Sequence, residues 1–218
     1  MSSFPGTPRT LRGSIVAVDP WSPASRVVVF QYNPDSVTRT LRPRADTRQQ
    51  QDRAADPHRV YGAPTESVTM TVEVDAADQL EADDPVARAA GIAPALATLE
   101  MLLTPSSARV IADTAMLLAG TIEILPPAGP LTVLVWGPAR VLPVRLETLT
   151  ITEQAFDPAL SPIRASVELA LHVLTYSDLP TSDPGYWLSL RHQVLKETLA
   201  TVGSSTGTGA ALGALAGA

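Results

Sequence analysis

Ser67-Val68-Thr69-Met70-Thr71-Val72-Glu73-Val74-Asp75 alternates without a break. Val68, Met70, Val72 and Val74 fall on one side; Thr69, Thr71, Glu73 and Asp75 fall on the other. Strand side chains point to opposite faces with period two, so this stretch is predicted to be a half-buried β-strand. Its apolar face needs a core. Its polar face meets water or another protein.

The same pattern recurs on both sides. Residues 163–175 alternate, with Val167, Leu169, Leu171 and Val173 on one face and Ser166, Glu168, Ala170 and His172 on the other. Residues 144–153 predict a long half-buried strand. Leu131-Thr132-Val133-Leu134-Val135-Trp136 is a strand bounded by Gly137-Pro138, and residues 139–142 continue it after that bend. Upstream, residues 11–18 and 26–30 form a hairpin around the turn cluster Asp19-Pro20-Trp21-Ser22-Pro23. The second arm ends at Phe30-Gln31-Tyr32-Asn33-Pro34. Proline fixes its own φ and pushes the residue before it towards extended geometry, so Asn33-Pro34 is a corner, leading into an extended segment at residues 36–41.

Helical periodicity is confined to two places. Asp83-Asp84-Pro85 offers an N-cap, a first-turn proline and favourable acidic charge, which explains the paired carboxylates better than acid–base chemistry does. A central helix is expected over residues 94–103, with Leu96, Leu99 and Leu103 on one face. Residues 108–118 are apolar, and helix and strand are both open there. After a polar, Pro-rich linker from residue 177, residues 186–202 carry Leu188, Val194, Leu195 and Leu199 at roughly helical spacing. Residues 203–218 are a Gly/Ala-rich tail read as flexible.

The resulting fold class is mainly β (α+β): an antiparallel sandwich or barrel over residues 1–176, with one central and one C-terminal helix. Long alternating strands without βαβ spacing support it. Residues 42–59 interrupt it as a long polar arm with Arg42, Arg44, Arg48, Arg53 and Arg59, long enough to reach a neighbouring subunit.

Composition narrows the function. Of 218 residues, 45% are hydrophobic and 17% charged, so a packed core is available. The net charge of -6 gives no global field for nucleic acid or anionic lipid. No cysteine is present, which removes disulfides, thiolate nucleophiles and Cys-based metal sites. His58, His172 and His192 lie far apart and form no metal-ligand spacing. There is no G-x-S-x-G, Walker A or G-x-G-x-x-G. No apolar run reaches the about 18 residues of a membrane helix, and the N-terminus lacks an apolar signal segment. These features predict a soluble, non-enzymatic protein without cofactor or metal.

Four motifs stand in a fixed order: Phe30-x-Tyr32-Asn33-Pro34; Gly62 ahead of the strand that ends at Asp75; Trp136-Gly137; and Phe156 followed by Pro162-x-Arg164-Ala165. This ordered set resembles the tube-protein N-terminal domain of contractile injection systems, the phage-tail-like syringes of bacteria, over about residues 11–176. The resemblance implies a tail-tube fold assembled into a sixfold ring around a lumen. It also implies a baseplate position joining the inner tube to the central spike, with inner tube, spike and baseplate proteins as partners. Assembly would be cytoplasmic, in a particle that is released or docked at a membrane. Relatives of this type often carry a C-terminal LysM module; residues 192–199 only faintly echo its opening. An inner-tube shaft or cap subunit is the alternative within the same machine. A ligand- or carbohydrate-binding β-barrel is the alternative from another class.

Overall fold

The computed structural model describes residues 11–18, 26–30, 32–44, 61–120 and 129–205. The strands are β1 (Ser14–Val18), β2 (Arg26–Val29), β3 (Val37–Arg42), β4 (Thr65–Asp75), β5 (Leu131–Val135), β6 (Val141–Phe156) and β7 (Pro162–Val173). Between β4 and β5 come α1 (Ala77–Glu81), α2 (Pro85–Ala90), α3 (Ala93–Glu100) and α4 (Ser107–Leu118); α5 (Pro184–Ser205) follows β7.

All seven strands form one sheet in the order β2-β1-β5-β6-β7-β4-β3, every pair antiparallel. Among the described residues the sheet is neither closed into a barrel nor backed by a second sheet, which corrects the sandwich or barrel expectation. Helices take the place of the second layer. Leu96 and Leu99 of α3 join Ile92, Ala87 and Leu102 in one core with Ile15, Val68, Met70, Val72, Val167, Leu169 and Leu171. Leu99 is fully buried, worth about 2 kcal/mol of transfer free energy. Alternation identifies the face that must be covered, and either a sheet or a helix can cover it.

The single central helix is in fact four short ones. Asp84 caps α2 as expected, its carboxylate accepting from the N–H groups of Val86 and Ala87, with Pro85 in the first turn. Leu103 lies beyond the end of α3 and is exposed, so only Leu96 and Leu99 of the expected stripe are buried. Residues 108–118, left open in the sequence, are helical as part of α4, which buries none of its residues.

β6 holds a further departure. Val144 and Leu146 point into the core, but alternation alone would then send Thr148 inwards. The register with β7 shifts between Leu146 and Thr148, so Glu147 is an extra residue in a β-bulge. Beyond it Leu149 and Ile151 take the core side, while Thr148, Thr150 and Thr152 are exposed.

α5 begins as α2 does, at an Asp-Pro pair: Asp183 accepts from the Gly185 N–H at 2.7 Å. The helix packs on β6. Leu142, Pro143 and Val144 are buried consecutively, so both faces of the sheet are covered at that point. Val194 and Leu199, expected on its apolar stripe, are exposed. No helix among the described residues is long and apolar enough to cross a membrane.

Candidate functional site

Three of the four sequence motifs meet at β-strand ends, and each has a structural task. Asn33 clamps the chain entering β1. Its side-chain oxygen accepts from the Gly13 N–H at 2.9 Å and its amide donates to the Leu11 carbonyl at 2.8 Å. The Phe30 N–H donates to the Gly13 carbonyl at 2.9 Å, so the backbone on both sides of the corner is fixed. Phe30 is buried and its ring lies 6.3 Å from that of Trp136, tilted by 53°. Gly13 passes so close that a Cβ there would fall 2.6 Å from the indole. Gly137, at φ 74, turns β5 into β6, where the Trp136 N–H donates to the Arg140 carbonyl. Phe30 therefore seats the corner, and Tyr32 is half-exposed. Pro34 ends the corner as a partly buried residue.

The late motif anchors the helices. The Pro162 carbonyl accepts from the Ile92 N–H, and the Ile163 carbonyl accepts from the Ala76 N–H. Ala165 is fully buried beneath them. Arg164 pairs with Glu73 at 2.8 Å and more loosely with Asp75 at 3.9 Å. Hydrogen bonding and charge from Glu73, then Asp75 and Tyr32, raise the Arg164 pKa, which puts Tyr32 within electrostatic reach of it. The Asp75 carboxylate also accepts from the Ala77 N–H and starts α1. Asp75 thus has a capping and pairing role. Phe156 pairs with Pro162 across the end of the hairpin and is half-exposed.

The remaining motif sits ahead of β4, at the other end of that strand from Asp75 and Arg164. Gly62, at φ 77, brings the Ala63 N–H onto the Ser177 hydroxyl at 3.2 Å. Arg44 locks this junction: Nε donates to the Ala63 carbonyl at 3.0 Å and the guanidinium pairs with Asp178. Burial pushes the Asp178 carboxyl up, but hydrogen bonds from Thr175 and Arg44 and the Arg44 charge outweigh it, and its pKa lies below the usual aspartate value. Arg44 is therefore engaged within its own chain. Arg42 ends β3 as an exposed residue, its carbonyl accepting from the Thr65 hydroxyl. Arg48, Arg53 and Arg59 lie outside the described residues.

The surface with the most regular chemistry is the exposed face of β3, β4, β7 and β6. Thr38, Thr69, Ala170 and Thr148 stand in register across all four strands. Thr71, Glu168 and Thr150 form the next row, and Glu73, Ser166 and Thr152 the one beyond. Single-strand alternation gave Thr69, Thr71, Glu168 and Ala170. The contributions of Thr38 and Thr148 needed the register and the bulge. Among the described residues, β2 and β3 are the edges of the sheet, with Val27, Val29 and Leu41 exposed along them.

No group of three or more His, Asp or Glu residues that could hold a metal occurs among the described residues. No protein-family model matches the chain, and no curated protein does.

Proposed function

We propose that this chain is a structural ring subunit of a phage-tail-like contractile injection system, acting in the baseplate between the inner tube and the central spike. One observation carries the reading: an exposed face of short, mostly uncharged side chains on a sheet that ends, among the described residues, in two strands paired on one side only. Edge strands present unpaired N–H and C=O groups to a neighbouring copy. A β2 edge meeting a β3 edge is a heterologous contact, and repeated rotation closes it into a ring. Six copies set this way line a channel with Thr38, Thr69, Thr71, Thr148, Thr150 and Ala170, and with a ring of Glu168 carboxylates between Thr71 and Thr150. Threonine and alanine carry no long side chains to obstruct passage, and their hydroxyls keep the wall wetted.

The motif corner supports the same reading. Phe30, Asn33, Trp136, Pro162 and Ala165 hold the sheet and helices in place. α5 extends the chain beyond the sheet and favours an adaptor over a plain shaft subunit. The test is co-expression with candidate tube and spike proteins of a contractile injection system from the same genome, followed by negative-stain microscopy. Rings of sixfold symmetry that cap tubes or carry spikes are expected. A monomer that binds neither partner would refute the proposal, and rings that stack into long tubes unaided would move the subunit to the shaft.

A further inference from the structure

Away from the exposed face, one acid among the described residues is buried. Glu66 of β4 stands opposite Val173 of β7, with its side chain only 4% exposed. Two cations reach it: Arg39 of β3 at 2.6 Å and Lys196 of α5 at 3.4 Å. His192 precedes Lys196 by one helical turn and shares its side of α5. Both His192 ring nitrogens are shielded from solvent and neither makes a hydrogen bond of ordinary geometry. The residue separates two hollows. One, of about 430 Å³, is lined by Ala139, Val141, Leu188 and Leu195; the other is lined by Glu66, Leu142, Val173 and Lys196.

The groups around the imidazole are unevenly charged. Its own helix supplies Arg191 and Lys196, β3 supplies Arg39, β4 supplies Glu66, and the segment after β7 supplies Tyr176. A single carboxylate already faces two cations. We propose that His192 is an acid-sensitive latch on α5: proton uptake by its imidazole adds a third positive charge to the Glu66–Arg39–Lys196 cluster and undocks the helix from β6. Undocking uncovers Val141, Leu142 and Glu66 as a fresh surface. This latch stands independently of the ring reading.

The direction of the effect follows from linkage. Burial first, then the charge of Lys196 and that of Arg39, hold the His192 pKa below its ordinary 6.5; Glu66 and the backbone of Ala139 oppose them less strongly. A pKa lowered by folding means that the undocked helix binds the proton more readily. The stabilisation is complete above pH 6.5 and is lost as pH falls below it towards the lowered folded value.

The test is hydrogen exchange of the full chain at pH 7.5 and 5.0, corrected for intrinsic rates, comparing α5 with β7. In the wild type, α5 protection should fall at acid pH by roughly tenfold relative to β7 for each unit by which folding lowers the pKa. His192→Phe, a neutral ring of similar size, should keep its protection at pH 5.0. Parallel behaviour of α5 and β7 in the wild type, or an equal acid loss in His192→Phe, would overturn the latch. Should that variant fail to fold, NMR titration of the wild-type imidazole decides: a midpoint below that of a free imidazole supports the latch, and one at or above it overturns it.

Discussion

Gly91 and Pro162 touch backbone to backbone: a Cβ on Gly91 would lie 2.0 Å from the Pro162 carbonyl oxygen, which also accepts from the Ile92 N–H at 2.8 Å. This contact binds the α2–α3 junction to the start of β7. Gly91 also has φ 55 with ψ -129, a conformation that side chains rarely allow. Gly91→Ala is expected to cost about 2–4 kcal/mol in urea unfolding, from strain and a clash with backbone that cannot move aside. A loss under about 0.5 kcal/mol, the range of ordinary surface changes, would show that the junction adapts freely.

Asn33 joins two backbone groups on the far side of the β1–β2 hairpin ends. Asn33→Ala should lose about 1–2 kcal/mol, because a part-buried N–H and a carbonyl lose their partner together. Asn33→Asp keeps the acceptor for Gly13 and loses the donor to Leu11, so its stability should fall between the two. The order wild type, Asp, Ala in chemical denaturation is the check.

The Arg44–Asp178 pair makes the junction of residues 61–64 and 174–178 acid-sensitive. Folding lowers the Asp178 pKa, so its contribution is full above the ordinary value of 3.8 and disappears as pH falls through the lowered one. Protection of residues 174–178 against hydrogen exchange, corrected for intrinsic rates, should fall in the wild type between pH 5 and pH 2. In Asp178→Asn it should be already lowered at pH 5 and flatter with pH. Arg44 contributes here before it can contribute to any contact between copies, so an arm deletion should begin after residue 44.

Glu147 is the extra residue of the β6 bulge. Deleting it removes the bulge and leaves Leu146 and Thr148 as neighbours opposite Leu171 and Ala170, so Leu149 and Ile151 keep the core side and Thr148 and Thr150 stay exposed. Circular dichroism and urea unfolding should report a protein that still folds cooperatively; loss of cooperative unfolding would show that the bulge is required. Glu147→Ala keeps the count of residues and should stay within about 0.5 kcal/mol of the wild type.

Much of the sheet was legible because one buried face imposes a period of two: β4 and β7 lie within two residues of the alternating stretches. The Asp84 cap and the Phe30 corner were legible because capping and turn chemistry are local. The bulge in β6 left only a small trace, the doubled polar pair Glu147-Thr148 between Leu146 and Leu149, which a reading of continuous alternation over residues 144–153 passes over. α4 stayed open because Val110, Ile111, Leu117 and Leu118 are apolar yet exposed, so no buried face disciplines its pattern. The Glu66 cluster was invisible for a different reason: Arg39 lies 27 positions away and Lys196 130 positions away. The helical cover in place of a second sheet is likewise a long-range choice, fixed by contacts such as Gly91 with Pro162.

The central claim is ring closure through β2 and β3, and the absence of cysteine offers a direct test. Val27→Cys and Leu41→Cys place one exposed thiol on each edge strand. Treatment of the double variant with a short bis-maleimide, followed by denaturing electrophoresis, should give a ladder from dimer upwards that ends at the hexamer, with each single variant stopping at dimer. A double variant that remains monomeric, alone and with its tube and spike partners, would contradict the account.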